Sequence, residues 1–168
     1  MWYVIWVRTG HEEEFKTWMD IRVPKGIYDR CFIPVKAEQR KIKGRSEEVL
    51  KKLFPGYIFT ETENALELNK GLKRVPFVHR LLKTGEYFVP ITETEEELIR
   101  KLTGEDGCAG MSVGIIENGR LKVVSGPLTG FEQYVVKIDR HKRKAFLEMK
   151  LFNEIRRFSL GLEVVEKS

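Results

Sequence analysis

The chain has 168 residues, of which 42% are hydrophobic and 33% are charged, a composition that supports a packed core and argues against wholesale disorder. This length fits one ordinary domain or two small ones. Lys and Arg outnumber Asp and Glu by 30 to 25, and residues 115–168 hold much of the surplus, with 11 basic against 7 acidic side chains. Such a balance permits contact with nucleic acid but does not require it.

The two cysteines, Cys31 and Cys108, are too few for a disulfide framework or a structural zinc site, so we expect reduced thiols in a cytoplasmic protein. The run Met1–Val7 is apolar but short, and it lacks a basic leader and a small-residue cleavage site. It predicts a strand rather than a signal peptide. No apolar run approaches the roughly 20 residues of a membrane span.

Hydrophobic periodicity predicts alternating strands and helices over the first 102 residues. Phe15 and Met19 fall at helical spacing behind an acidic first turn, and Thr92 with Glu95 forms a capping box. The acidic clusters 12–14 and 95–97 are expected to form solvated helix starts. In chain order, the predicted elements are a strand at 2–8, a helix at 11–22, a strand at 27–36, a basic exposed loop or flexible hairpin at 36–52, a strand at 56–60, a short helix at 64–72, a strand at 75–83 and a helix at 92–102.

The remaining residues change character. Residues 103–114 carry four glycines and few bulky side chains, which predicts a flexible linker. Residues 115–168 contain short strand patterns separated by turn signals, including Asn118-Gly119 and Ser125-Gly126-Pro127, which predict a small all-β barrel. The predicted fold class is therefore α+β, with an α/β sandwich of antiparallel sheet and helices over 1–102, followed by the linker and the barrel.

The sequence gives no catalytic signature. His11, His79 and His141 are scattered, and the signatures of P-loops, zinc proteases, nucleophile elbows and dinucleotide sites do not occur. We therefore expect a binding protein rather than an enzyme, with no cofactor and no metal.

Aromatic residues concentrate on two of the predicted strands, which carry Trp2, Tyr3, Trp6, Phe54, Tyr57 and Phe59. Because side chains alternate along a strand, about half of them must face the core. The other half either completes that core or forms an apolar patch for a partner, where aromatic residues are favoured anchors.

Several segments resemble the NusG family of transcription elongation factors. Trp2-Tyr-Val-Ile5 is similar to the opening strand of the family's N-terminal (NGN) domain, Leu53-Phe-Pro-Gly-Tyr-Ile-Phe59 to its most recognisable motif, and Val75-Pro-Phe-Val78 to the approach to its last strand. The stretches 117–131 and 162–167 are similar to the opening and the closing strand of a KOW domain. The resemblance covers nearly the whole chain apart from the linker.

The resemblance implies a division of labour between two domains. The NGN-like domain would bind the clamp helices of the largest subunit of RNA polymerase through Trp6, Phe54 and Tyr57, with Phe59 either core or contact. Such docking keeps the polymerase closed on DNA and disfavours pausing. The protein would work as a monomer without a membrane partner.

The departures from the family pattern point to a specialised member. Gln133 stands where a KOW glycine is expected, and Phe152-Asn-Glu-Ile-Arg-Arg157 keeps only the Phe of the loop that contacts a ribosomal protein or the termination factor Rho. Positive charge takes the place of that loop motif. The candidate RNA-binding residues are Arg140, Lys142, Arg143, Lys144, Lys150, Arg156 and Arg157.

These cations form either a solvated hairpin turn or a face that binds phosphates. A hairpin in nascent leader RNA is the expected ligand, and the interleaved Phe146, Phe152 and Phe158 are expected to be mostly core. The basic C-terminal domain resembles the LoaP group of antiterminators. Two alternatives stay open: recruitment by non-template DNA, as in the RfaH group, with the basic segment 36–52 as contact, or a protein-only adaptor. An RfaH-like helical form of the C-terminal domain is disfavoured because Val135-Val136 and Val164-Val165 are strand-forming.

Overall fold

The computed structural model describes residues 1–166. It divides into two compact units, one formed by Met1–Pro34 and Phe54–Glu96 and the other by Val35–Leu53 and the chain from Glu97 onward. The segment 35–53 thus belongs with the C-terminal strands, whereas the sequence places it within a domain over 1–102. That domain division and its linker stay predictions. Lys167, which ends the predicted closing motif, lies outside the described residues.

The described residues form a mixed α/β protein. Its helices are α1 (Glu12–Arg22), α2 (Ala65–Leu72) and α3 (Glu93–Thr103), with a 3-10 turn at Glu132–Tyr134. Its strands are β1 (Trp2–Val7), β2 (Arg30–Phe32), β3 (Val35–Ile42), β4 (Arg45–Lys52), β5 (Tyr57–Glu61), β6 (His79–Leu81), β7 (Lys83–Thr84), β8 (Tyr87–Phe88), β9 (Cys108–Ala109), β10 (Ser112–Glu117), β11 (Arg120–Ser125), β12 (Val135–Asp139), β13 (Lys144–Leu151) and β14 (Glu154–Val164).

The first unit is built on a four-stranded sheet in the order β2-β5-β1-β6, with antiparallel pairing throughout. One face of β1 carries Tyr3, Ile5 and Val7, which pack in one buried cluster with Phe15 and Met19 of α1 and with apolar residues of α2. Since side chains alternate along a strand, Trp2, Val4 and Trp6 lie on the opposite face. The two faces of β1 therefore separate a helix-covered core from an aromatic face, on which Trp2 and Val4 are buried and Trp6 is partly exposed.

Two of the predicted strands in this unit are shorter than expected. Residues 27–36 give only β2 and the first residues of β3. In the predicted strand 75–83, residues 75–77 form bends and β6 begins only at His79. Pro76 has no N–H to donate to a ladder, which accounts for the late start of β6. The predicted capping box is confirmed: Glu95 N–H donates to Thr92 Oγ1 at 3.1 Å, and Thr92 N–H donates to Glu95 Oε1 at 2.9 Å.

The second unit contains a three-stranded sheet, β4-β3-β9, and a five-stranded sheet, β11-β10-β14-β13-β12. The basic segment predicted as a loop or hairpin forms the hairpin β3–β4, closed by Lys43 and Gly44 at φ 52° and 77°. Two residues at positive φ match the twist of antiparallel strands. The glycine-rich segment 103–114 includes β9, which pairs parallel with β3, and the start of β10.

The five-stranded sheet buries one face. Ala145, Leu147, Leu151, Phe158 and Leu160 alternate inward on β13 and β14 and are at most 6% exposed. Over the described residues this sheet is open, because β11 and β12 are its unpaired edges, so the closed barrel expected from the sequence is not observed. Strand structure dominates beyond residue 107, with no α-helix up to residue 166. None of the helices in the described chain is long and apolar enough to cross a membrane.

Candidate nucleic-acid interface

A tight basic turn joins β12 to β13. Asp139 Oδ1 accepts a hydrogen bond from the Lys142 backbone N–H at 2.9 Å, and Arg143 adopts a left-handed φ of 55°. The hydrogen bond from Lys142 holds the pKa of the Asp139 carboxyl below its usual value, so the carboxylate stays charged and closes the turn. Arg140 and Lys142 are left exposed at its tip.

A buried ion-pair network attaches the hairpin β3–β4 to the strands beside this turn. Glu38, only 7% exposed, lies 3.4 Å from Lys36 Nζ and 3.4 Å from Lys144 Nζ. Lys36 Nζ also donates to the carbonyl oxygen of Ser159 at 2.9 Å and to its Oγ at 2.6 Å. Burial lowers the pKa of Lys36, and the nearby Glu38 carboxylate opposes that shift. Each buried polar group of the network has a partner, which makes it a firm attachment.

A second link lies nearer the tip of the hairpin, where Arg143 Nη1 donates to Ser46 Oγ at 3.2 Å. Ser46 Oγ in turn donates to Gln39 Oε1 at 2.9 Å. The hairpin is thereby joined to the turn and its neighbouring strands at two levels within one unit, by the ion pairs of Glu38 and by the hydrogen bond from Arg143.

Between hairpin and turn lies a cleft of about 640 Å³. Seven of the eleven residues that line it are Lys or Arg, and Glu38 is the one acidic residue among these described residues. The lining residues are Glu38, Gln39, Arg40, Lys41, Ser46 and Lys51 from the hairpin and Arg140, His141, Lys142, Arg143 and Lys144 from the turn. Because Glu38 is already paired with two lysines, the cleft is a strongly positive surface.

The structure separates the seven candidate RNA-binding residues into two groups. Arg140, Lys142, Arg143 and Lys144 line the cleft, whereas Lys150, Arg156 and Arg157 lie elsewhere on β13 and β14. The prediction of a loop over residues 152–157 is wrong. Phe152 and Asn153 alone make the turn, at φ 56° and 66°, and β14 already begins at Glu154.

Arg156 and Arg157 therefore point to opposite faces of a strand. Arg156 pairs with Glu154 at 3.1 Å and lies over the Phe152 ring at 5.4 Å. Arg157 lies over the Phe146 ring at 5.2 Å. Of the three phenylalanines expected to be mostly core, only Phe158 is buried, and Phe146 and Phe152 are half-buried beneath cations.

The candidate polymerase-binding residues lie on or next to the aromatic face of β1 and β5 in the first unit, with the Phe54 ring 6.1 Å from that of Phe59. Trp6 and Tyr57 are direct partners across β1 and β5, and the Arg80 guanidinium lies 6.0 Å from the Trp6 ring. Trp6 is partly exposed, but Phe54 and Tyr57 are only 5% and 9% exposed. Phe59, for which the sequence allows core or contact, is fully buried and is therefore core.

Two features of the structure were not predicted from the sequence. The exposed cations Arg40, Lys41 and Lys51 line the cleft beside the turn, and although their charge is visible in the sequence, their position next to the turn is not. The expectation that Glu12 is solvated is wrong. It is 1% exposed, and it accepts hydrogen bonds from the backbone N–H groups of Gly10 at 2.6 Å and Gly56 at 3.1 Å.

Comparison with known proteins identifies the family. The family model described as "Transcription termination factor nusG" matches residues 1–100. The chain belongs to the NusG family. It is 25% identical over 173 residues to the transcription termination/antitermination protein NusG of Halalkalibacterium halodurans, covering 99% of this chain and 97% of that protein. It is 27% identical over 180 residues to NusG of Thermus thermophilus, covering 99% and 98%.

Structural comparison agrees with this assignment. The solved structure "Domain interaction in Thermotoga maritima NusG" matches with a TM-score of 0.64 at 25% identity, covering 95% of this chain and 92% of that one. NusG-family proteins are transcription termination and antitermination factors that bind RNA polymerase, and they are not enzymes.

Proposed function

We propose that this NusG-family protein is an elongation and processive antitermination factor that docks on RNA polymerase and binds a hairpin in nascent RNA. The observation that carries the proposal is the concentration of exposed cations in the C-terminal unit, four of whose predicted RNA-binding residues line one cleft. The proposed RNA contacts are Arg140, Lys142, Arg143, Lys144, Lys150, Arg156 and Arg157.

Clustered Lys and Arg side chains gain affinity by releasing counterions from nucleic acid, whatever its sequence. Arg143 also presents a planar guanidinium that can pair with phosphate through two parallel hydrogen bonds. Such a surface fits a specialised, LoaP-like member with a basic KOW domain better than a member whose C-terminal domain binds a ribosomal protein or Rho.

Docking on the clamp helices is proposed for Trp6, Phe54 and Tyr57. Trp6 is the partly exposed member of the three, and a large apolar ring with an indole N–H suits a protein interface. Phe54 and Tyr57 are buried, so a partner reaches them only when the residues over them are displaced on binding.

Recruitment by exposed non-template DNA is the second candidate function. It is favoured by the exposed Arg40, Lys41 and Lys51 on β3 and β4, because phosphate contacts do not by themselves distinguish DNA from RNA. A protein-only adaptor is the third. It is favoured by the exposed apolar side chains of Val136 and Ile155, which are 52% and 79% exposed.

The test is capture of total cellular RNA by the purified full-length protein, followed by sequencing of the bound transcripts. The test variant is Arg140→Ala with Lys142→Ala. The matched control is Lys73→Ala with Arg74→Ala, which removes two exposed cations from the first unit. We expect enrichment of a leader hairpin that the test variant loses and the control keeps. Equal recovery by all three proteins, or no enrichment, would overturn RNA recruitment.

A further inference from the structure

We infer that the hairpin β3–β4 is the second wall of the RNA site, so that the cleft holds the sugar–phosphate backbone of a double-stranded RNA stem between the hairpin and the basic turn. This inference rests on the proposed function and extends it in two respects. It adds residues from the N-terminal half of the sequence to the RNA site, and it assigns the paired stem of the RNA hairpin, rather than its loop, to the cleft.

The two walls of the cleft are attached to each other. The Lys36–Glu38–Lys144 network and the bond from Arg143 to Ser46 join the two walls, so their charges are held at fixed spacing before any ligand arrives. A preorganised site avoids the cost of ordering its side chains and loops on binding. A hairpin that moved independently would not share a ligand with the turn in this way.

The hairpin wall of the cleft is positively charged. Arg40, Lys41 and Lys51 are exposed, and in the described part of the chain none of the three takes part in an ion pair. Glu47 lies across from Arg40 in the hairpin register, but it does not line the cleft. The hairpin therefore lines the cleft with cations that the folded chain leaves available for phosphates, as Arg140 and Lys142 do on the turn. Because Arg40 and Lys41 are consecutive on β3, their side chains leave the strand on opposite faces.

Large aromatic side chains are absent from the described lining of the cleft. None of the eleven described lining residues is Phe, Tyr or Trp. Proteins that hold single strands depend on aromatic platforms for unstacked bases, whereas duplex RNA is recognised through its shape, phosphates and 2′-hydroxyls. A cationic cleft without Phe, Tyr or Trp, whose one aromatic ring is that of His141, fits the backbone of a paired stem.

The experiment measures binding of the full-length protein to three labelled probes over a range of salt concentrations. The probes are a fully paired RNA stem-loop of mixed sequence, a DNA stem-loop of the same sequence and an unstructured single-stranded RNA. Four proteins are compared: the wild type, the hairpin variant Arg40→Ala with Lys41→Ala, the turn variant Arg140→Ala with Lys142→Ala, and the control Lys73→Ala with Arg74→Ala. Thermal melting establishes that each is folded.

We expect the hairpin and turn variants each to weaken binding of the RNA stem-loop by about tenfold and to lower the salt slope by about two, while the control changes neither. We also expect the wild type to prefer the RNA stem-loop to both other probes.

If the β3–β4 hairpin variant binds the RNA stem-loop as tightly as the control while the turn variant binds it more weakly, the hairpin is not the second wall of the site. The proposed function would be unaffected by that result. If hairpin and turn variants both bind like the control, the proposed RNA site fails as well. Equal or tighter binding of the single strand would overturn the duplex assignment, and tighter binding of the DNA stem-loop would favour recruitment by DNA.

Discussion

Glu12 Oε2 accepts a hydrogen bond of 3.1 Å from the backbone N–H of Gly56, 44 residues further along the chain. The other carboxylate oxygen accepts from Gly10, so one buried side chain links the start of α1 to the segment that precedes β5. Gly56 is adjacent to Tyr57, the cross-strand partner of Trp6. The carboxylate thus holds in place the backbone from which the proposed polymerase-binding surface projects.

Substitution of Glu12 by Gln should lower the free energy of unfolding by about 1–3 kcal/mol, because an amide provides one acceptor oxygen where the carboxylate provides two to buried N–H donors. Urea denaturation at neutral pH measures the change. The control is Glu14→Gln, in the same turn of α1 but with its side chain 57% exposed, for which a change within about 0.5 kcal/mol is expected. Equal effects of the two substitutions would contradict a buried role for Glu12.

Gly56→Ala should destabilise the first unit by more than backbone strain alone. Gly56 has φ +85°, and a Cβ at this position would lie 2.9 Å from the carbonyl oxygen of Val7. Gly26 is the matched control, with φ +91° and no atom within 4 Å of the Cβ that alanine would add. We expect Gly26→Ala to cost about 1 kcal/mol and Gly56→Ala at least about 1 kcal/mol more. Denaturation curves with equal midpoints would show that the contact with Val7 relaxes without cost.

Glu38→Gln should loosen the hairpin β3–β4 from the C-terminal strands. It removes the carboxylate that separates Lys36 from Lys144 and leaves two ammonium groups near a neutral amide. We expect faster amide hydrogen exchange in β3 and a loss of stability of about 1–3 kcal/mol. Glu48→Gln, at an exposed position of β4, should leave exchange unchanged. If exchange in β3 is the same in both variants, the network does not hold the hairpin.

Cys31 should make stability depend on alkaline pH. Burial raises the pKa of this thiol from 9.0 to about 11, so the unfolded chain loses the proton at lower pH than the folded protein. The resulting stabilisation is complete below pH 9 and is lost as pH rises through about 11. The Cys31→Ala variant lacks this contribution, so the wild type should lose stability more steeply than the variant between pH 9 and 11. Parallel stability curves in urea would contradict a protected thiol.

Trp6→Ala should weaken binding to RNA polymerase by about 2 kcal/mol or more, the range of aromatic anchors at interfaces, while RNA affinity is unchanged. Trp6 is the suitable position because Phe54 and Tyr57 are buried and their truncation would also unfold the sheet. Leu66→Ala, which shortens a side chain 66% exposed on α2, is the control. Binding of purified polymerase core enzyme to immobilised protein measures the difference. Full affinity of Trp6→Ala for polymerase would remove this surface from the docking site.

The features that could be predicted from the sequence are those that depend on residues close together in the chain. Thr92 and Glu95 cap α3 as predicted, because both bonds form within four residues. Asn118 and Gly119 adopt positive φ values of 53° and 75° in the hairpin β10–β11, as that pair favours. Alternation along β1 correctly required its residues to divide between two faces, although it did not indicate which of the aromatic residues would stay exposed.

Contacts between residues far apart in the chain could not be predicted from the sequence. Arg143 and Ser46 are 97 residues apart, and Lys36 and Ser159 are 123 apart, so no periodicity connects the two walls of the cleft. Glu12 resembles any acidic residue at a helix start until its distant partner Gly56 is known. The family's loop occupies the place of Arg156 and Arg157, which predicts a loop up to residue 157, whereas the turn ends with the left-handed Asn153, four residues earlier.

The hydrogen bonds from Lys36 to Ser159 also mean that the hairpin β3–β4 can be fixed in place only late in synthesis, after Ser159 has been added. Residues 35–53 leave the ribosome long before β9, β13 and β14, the strands that pair with or carry the partners of the hairpin. Domains fold as units while the chain is being made. The flanking segments 1–34 and 54–96 can therefore fold into the first unit while Lys36 and Glu38 are still solvated, because Lys144 and Ser159 have not yet been synthesised. One wall of the proposed RNA site is thus translated early and becomes complete only when the last strand has emerged.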